Sequence, residues 1–148
     1  MPVNLELQGR AFAPTAPYLV GREKVREFAW AVFATSPINT DVDAARAAGY
    51  ADVVAPPTFA IVLQQLTLDQ LVAVPDSGIE MTKLVHGEQR FAYTRPIVAG
   101  DELTATLAVT SIKTLGGNAM VTAETAITDL AGAHVVTATS ILVVRGDA

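Results

Sequence analysis

Two histidines are the only imidazoles in this chain, and one of them, His86, stands two residues before Glu88. On an extended strand that spacing puts both side chains on one face, where a carboxylate can hydrogen-bond an imidazole base. Strand parity predicts His86, Glu88 and Arg90 on one face and Val85, Gln89, Phe91 and Tyr93 on the other. The structural alternative is a solvated or interface face in which His86 simply hydrogen-bonds Glu88. Glu88 and Asp101 form a second candidate, as paired carboxylates, but Asp101 belongs to the turn Ala99-Gly100-Asp101, where an Asp usually caps its own backbone. His134 follows the turn at Ala131-Gly132 and is expected to be exposed. The chain has no cysteine, which excludes disulfides and thiolate metal sites. It shows no metal-ligand spacing, no phosphate-binding loop and no Ser-His-Asp order, so neither a metal nor another cofactor is expected.

The elements that position these residues read as helices first and strands second, an α+β pattern. Residues 2–17 carry three prolines and Gly9, which predicts irregular chain with at most a short edge strand. Val25, Phe28, Ala29 and Val32 recur at helical spacing and predict a helix from Arg22 to Ala34, ended by Ser36-Pro37. Asp41 is placed to cap a short helix through Ala47, with Gly49 just beyond it. A third helix is expected from Pro57, which suits a first turn, to about Val72. It is apolar nearly all round, through Phe59, Ile61, Val62, Leu63, Leu66 and Leu68, and so must be buried on most sides.

From Met81 onward the period becomes two. The expected strands are Thr82 to Thr94, a threonine-rich strand after Asp101, Met120 to Thr128 and His134 to Val144. Gly116-Gly117-Asn118 and Ala131-Gly132 supply the turns, which makes a meander of three long antiparallel strands. The greasy helix is too apolar for a solvated surface, so the sheet should curve around it.

A chain of 148 residues suits one domain, 1–148, with no repeat or linker. It is 51% hydrophobic, with a mean hydropathy of +0.37, yet no apolar run is long enough to span a bilayer. The excess belongs in a core, a subunit interface or a lipid-binding channel. A net charge of −5 argues against nucleic acid, which is bound through Lys and Arg contacts to phosphate. Residues 1–9 include Asn4, Glu6 and Gln8 and lead into no apolar signal-peptide region, so a cytoplasmic location is expected and no membrane partner.

Four stretches in order carry a family resemblance over essentially the whole chain. They are Tyr18 with Val20-Gly21-Arg22-Glu23-Lys24, Val54-Ala55-Pro56-Pro57-Thr58-Phe59, His86-Gly87-Glu88-Gln89-Arg90-Phe91, and Arg95-Pro96 with Ala99-Gly100-Asp101. Together they resemble the MaoC-like hot-dog family with a dehydratase N-terminal-type domain, which includes actinobacterial non-catalytic subunits of (3R)-hydroxyacyl-carrier-protein dehydratase. The resemblance implies a hot-dog fold, an antiparallel sheet wrapped around one long central helix.

Catalytic members of that family carry a Gly, an Asp, any residue, then Asn-Pro-aliphatic-His, with a small residue six places after the His. Their His removes the proton α to a thioester and their Asp handles the water. Laid on this chain, Pro37-Ile38 and Ala45 match, but Phe33 replaces the Gly, Ala34 the Asp, Ser36 the Asn and Asn39 the His. Alanine exchanges no proton, and an Asn amide is no base near neutral pH. The relatives also open the long helix with His-Gly, whose free amides polarise the thioester carbonyl. Here Pro56-Pro57 stand there without N–H groups, leaving the amides of Thr58 and Phe59.

The resemblance therefore implies a non-catalytic subunit in fatty acid elongation, paired as a heterodimer with a catalytic hot-dog hydratase chain, or a homodimer when alone. Its ligand would be acyl-carrier protein or acyl-coenzyme A. The implied substrate-binding residues are Pro57 and Thr58, the helix wall Phe59, Ile61 and Leu63, and His86 and Gln89 on the strand. Two other readings stand beside it: an acyl-thioester-binding homodimer without catalysis, and a self-sufficient hydratase or thioesterase using His86.

Overall fold

A computed structural model describes residues 2–147. After a single 3₁₀ turn at Leu5–Leu7, the elements are β1 (Tyr18–Leu19), α1 (Arg22–Ala31), α2 (Val42–Ala47), α3 (Ile61–Val72), β2 (Leu84–Tyr93), β3 (Glu102–Leu115), β4 (Asn118–Asp129) and β5 (His134–Val144). The five strands form one antiparallel sheet in the order β1-β3-β4-β5-β2. Leu103, Ala105, Leu107 and Val109 of β3 alternate inward with Val121, Ala123 and Ile127 of β4, and α3 packs against that face with Leu63, Leu68 and Leu71 buried. The curled sheet with its central helix is the hot-dog fold expected from the sequence.

α1 ends three residues before the expected Ala34. Phe33 takes a left-handed φ of 57°, its N–H donates to the Trp30 carbonyl, and the Ala34 N–H donates to the Ala29 carbonyl. These are the two bonds of a Schellman stop, with phenylalanine in the place usually held by glycine. α2 ends in the same way with the expected glycine, Gly49 at φ 95°. Asp41 caps it as expected, its carboxylate accepting from the Asp43 and Ala44 amides.

α3 starts at Ile61, four residues later than expected. Between Pro56 and Leu63 the amides bond three residues back, Phe59 to Pro56 at 2.9 Å and Val62 to Phe59 at 2.9 Å. The first i→i−4 bond is Gln64 to Ala60, at 3.0 Å. Pro57 therefore sits in a tight turn ahead of the helix, not in its first turn. β2 likewise begins at Leu84, because Met81–Lys83 forms a 3₁₀ turn.

The two sheet edges differ. Residues 8–20 run along the outer edge of β3 and seal it. Gly9 N–H donates to Val109, Thr15 N–H donates to Ala105, Thr15 Oγ1 accepts from the Ala105 amide, and Gln8 Oε1 accepts from the Ile112 amide. At the opposite edge, β2, ten residues long, pairs with β5 alone among the described residues, so the backbone groups that point outward from it have no strand partner.

Candidate functional site

The segment from Ser36 to Asn39 folds back under a short extended stretch at residues 53–55. Val54 N–H donates to the Ile38 carbonyl at 2.8 Å, and Asn39 Nδ2 donates to the Val54 carbonyl at 2.6 Å. Ala55 N–H in turn donates to Ile97, and Ala99 N–H donates to Val53. This ladder positions Asn39, which is only 7% exposed, at the wall of a cleft of about 440 Å³. Ile38, Val54, Ala55, Pro57 and Pro96 supply its apolar lining, with Ser36, Tyr50, Tyr93, Thr94 and Arg95 between them. Ala34 does not line the cleft. It is half-buried, and its amide closes the end of α1.

Tyr93 is the residue that sequence reading missed. Its hydroxyl donates to the Pro57 carbonyl oxygen at 2.5 Å. Burial pushes its phenol up to about 12, with the Ala60 amide opposing only part of that shift. The Phe59 amide is also occupied, by the Pro56 carbonyl. Of the amides ahead of α3, that of exposed Thr58 donates to no acceptor among the described residues. A tyrosine three residues before the Pro96 turn carried no signal of this role, because the pairing depends on β2 ending above the turn that leads into α3.

Arg95 reaches the cleft with its charge already matched. Its guanidinium bonds both Asp101 oxygens at 2.8 and 3.2 Å, and Asp101 also accepts from the Val98 amide at 2.9 Å. Asp101 is thus a turn staple, and Glu88 pairs with Arg90 on the outer face. The two carboxylates do not form a pair. Farther back, Arg22 clasps Asp52 at 2.9 and 2.6 Å, and its guanidinium holds the Asp52 carboxyl down at about 2.

The expected face shared by His86 and Glu88 does not exist. A β-bulge lies between them, with His86 opposite Leu142 and Glu88 opposite the neighbouring Ile141. Cross-strand partners share a face, so the extra residue, Gly87, turns His86 to the side of Gln89, Phe91 and Tyr93 and leaves Glu88 with Arg90. Parity counting fails wherever one residue is inserted. His86 is exposed; His134 is exposed as expected, its ring bridging Thr94 Oγ1 at 2.6 Å and Thr137 Oγ1 at 2.7 Å.

The other expected binding residues are dispersed. Pro57 meets Asn39 at the cleft. Phe59 and Leu63 are sealed in the core, Phe59 packed edge-to-face on Phe28 at 5.3 Å between ring centres, while Ile61 stays half-buried. Gln89 turns inward to a polar cluster unforeseen from the sequence. Its Nε2 donates to Gln64 Oε1 at 2.8 Å, and Ser140 Oγ lies 2.5 Å from Gln89 Oε1. Gln64, fully buried on α3, also donates to the Ala138 carbonyl at 3.0 Å. Among the described residues no group of His, Cys, Asp or Glu could hold a metal ion.

The cleft therefore offers hydrogen bonding rather than proton transfer. Its lining has no carboxylate and no imidazole, and the acidity of its Tyr93 phenol lies far above neutral pH. Comparison with known proteins places this arrangement. Residues 6–138 match the FAS1-like, dehydratase domain region. The chain belongs to that family of MaoC-like hot-dog proteins.

Within it, the chain is 70% identical to a UPF0336 protein of Clavibacter michiganensis over 99% of both chains. Among solved structures it is similar to the HadBC (3R)-hydroxyacyl-ACP dehydratase complex of Mycobacterium tuberculosis. That match has 33% identity and a TM-score of 0.84, over 93% of this chain and 96% of that one. A MaoC-like dehydratase matches at 36% identity and a TM-score of 0.83, over 94% of this chain and 42% of the longer one. This is a hot-dog dehydratase-family protein related to HadBC, and no helix among its described residues is long and apolar enough to cross a membrane.

Proposed function

We propose that this chain is the non-catalytic, acyl-binding subunit of a (3R)-hydroxyacyl-thioester dehydratase or hydratase in fatty acid elongation, paired with a catalytic hot-dog chain. The observation that carries the reading is Asn39. At the position of the family's catalytic histidine stands an amide whose donor is committed to the Val54 carbonyl, with no acid or base beside it on the cleft wall. Similarity to a two-subunit dehydratase complex supports the pairing. The open edge of β2 provides the place for it, since the other edge is already sealed by residues 8–20. Expressed alone, the chain would use the same edge on a second copy. Because Phe59 and Leu63 are closed in the core, the acyl tail would pass half-buried Ile61 and Val62 on α3. The ligand would arrive on acyl-carrier protein or coenzyme A.

The test is affinity co-purification from the native host at near-endogenous expression, with mass spectrometry of the captured chains and dehydration assays on 3-hydroxyacyl thioesters. The reading expects a second hot-dog chain with an intact Asp/His pair and activity in the complex that the isolated chain lacks. A homogeneous homodimer, active alone on enoyl or 3-hydroxyacyl thioesters, would overturn it.

A further inference from the structure

Asn39 has one side-chain atom with nothing to do. Its Nδ2 is spent on the Val54 carbonyl, which fixes the amide's orientation and leaves Oδ1 as a pure acceptor. Oδ1 receives no bond from any described residue, and it is not enclosed: Gln70 Oε1 is the one enclosed side-chain polar atom without a partner among those residues. Asn39, nine-tenths buried on the wall of the cleft, thus keeps this fixed, unanswered acceptor as its one open side-chain atom. Such an acceptor in a mostly apolar setting is where a ligand's donor gains most.

The remaining polar groups restrict what that ligand is. Arg95 has its charge matched by Asp101, so the cleft offers no free cation to an anion. An anion would also meet Oδ1, an acceptor facing an acceptor. The Tyr93 hydroxyl is spent on Pro57 and Thr94 Oγ1 on His134, and the other hydroxyls on the lining, those of Ser36 and Tyr50, are neutral and bring no charge to the cleft. We propose that the cleft beside Asn39 binds a neutral, mostly apolar ligand that gives one N–H or O–H donor to Asn39 Oδ1. This inference stands on the chemistry of the cleft and does not need the dehydratase-complex reading.

The experiment is a titration of the ¹⁵N-labelled full chain, followed by NMR, with three probes of equal tail length: hexanamide, N,N-dimethylhexanamide and hexanoate. Hexanamide should shift the Asn39 side-chain signal and the Ile38 and Val54 amides in a saturable way. The dimethyl amide keeps the carbonyl but lacks the donor, and should bind about fivefold to tenfold more weakly, the worth of one hydrogen bond. Hexanoate should be weaker still. In Asn39→Leu the preference for the donor should vanish, and in Pro57→Trp, which fills the cleft from an exposed position, all binding should fall. Equal affinity of the two amides for the unaltered chain would overturn the proposal, as would a donor preference that survives Asn39→Leu. If Asn39→Leu does not fold, Pro57→Trp decides: binding undiminished in that variant means the ligand sits elsewhere and the proposal is wrong.

Discussion

The Tyr93 hydroxyl, at the end of β2, bonds the Pro57 carbonyl at 2.5 Å, locking the last strand residue to the turn that leads into α3. One phenol thereby joins the sheet to the entry of the helix. Tyr93→Phe should destabilise the chain by about 1–3 kcal/mol in chemical denaturation, toward the lower value because Pro57 is open to water.

The same residue has a pH signature. Burial raises its folded pKa to about 12 from 10.0, so between those values the unfolded chain releases a proton that the folded chain keeps. Its contribution to stability is complete below pH 10 and is lost as the pH climbs toward 12. Thermal midpoints across pH 9–12 should therefore fall more steeply for the unaltered chain than for Tyr93→Phe. Parallel curves would show that the phenol is not linked to folding.

Asp52 behaves in the opposite sense. Arg22 lowers its carboxyl to about 2 from 3.8, so the contribution is present above pH 3.8 and is lost as the pH falls toward 2. Asp52→Asn should lower the melting temperature at pH 7, and the gap between variant and unaltered chain should close by about pH 2. A gap of unchanged size at the acid end would mean that the loss comes from packing rather than from the ion pair.

Phe33 holds a left-handed conformation while 88% exposed, so its ring contributes little to the fold of the single chain. For a side chain with a Cβ, that conformation costs roughly 1–2 kcal/mol. Phe33→Gly should leave the Schellman stop intact and raise stability by about 1 kcal/mol by equilibrium unfolding, less the extra freedom glycine brings to the unfolded chain. If the variant also fails to assemble with its partner while melting higher, the exposed ring belongs to an interface.

Purified alone, the chain should show no hydration of enoyl thioesters above background. General acid–base groups contribute about 10²–10⁴-fold each. Ala34→Asp with Asn39→His restores both residue types yet should gain little, because Ala34 does not line the cleft and Pro57 offers no amide to it. Adding Pro57→Gly should gain more, since it supplies an amide. Robust turnover by the unaltered chain, insensitive to Asn39→Ala, would show that a different residue carries the chemistry.

The sequence by itself determined the period of every long element. Helical spacing through Val25, Phe28 and Ala29, the Asp41 cap and the alternation in β3, β4 and β5 are local signals, written within a few residues of where they act. That Ala34 and Asn39 carry no acid or base was legible for the same reason, since a residue type is visible without a fold. Only the tertiary structure decided which groups meet. The one-residue bulge that parts His86 from Glu88 depends on pairing with β5, which no spacing within β2 reveals. The contacts of Tyr93 with Pro57, Asn39 with Val54 and Gln64 with Gln89 and Ser140 join residues 15 to 76 positions apart. Such contacts arise when the sheet curls over α3, and that closure, rather than any local pattern, makes Asn39 a cleft wall and Phe59 a core residue.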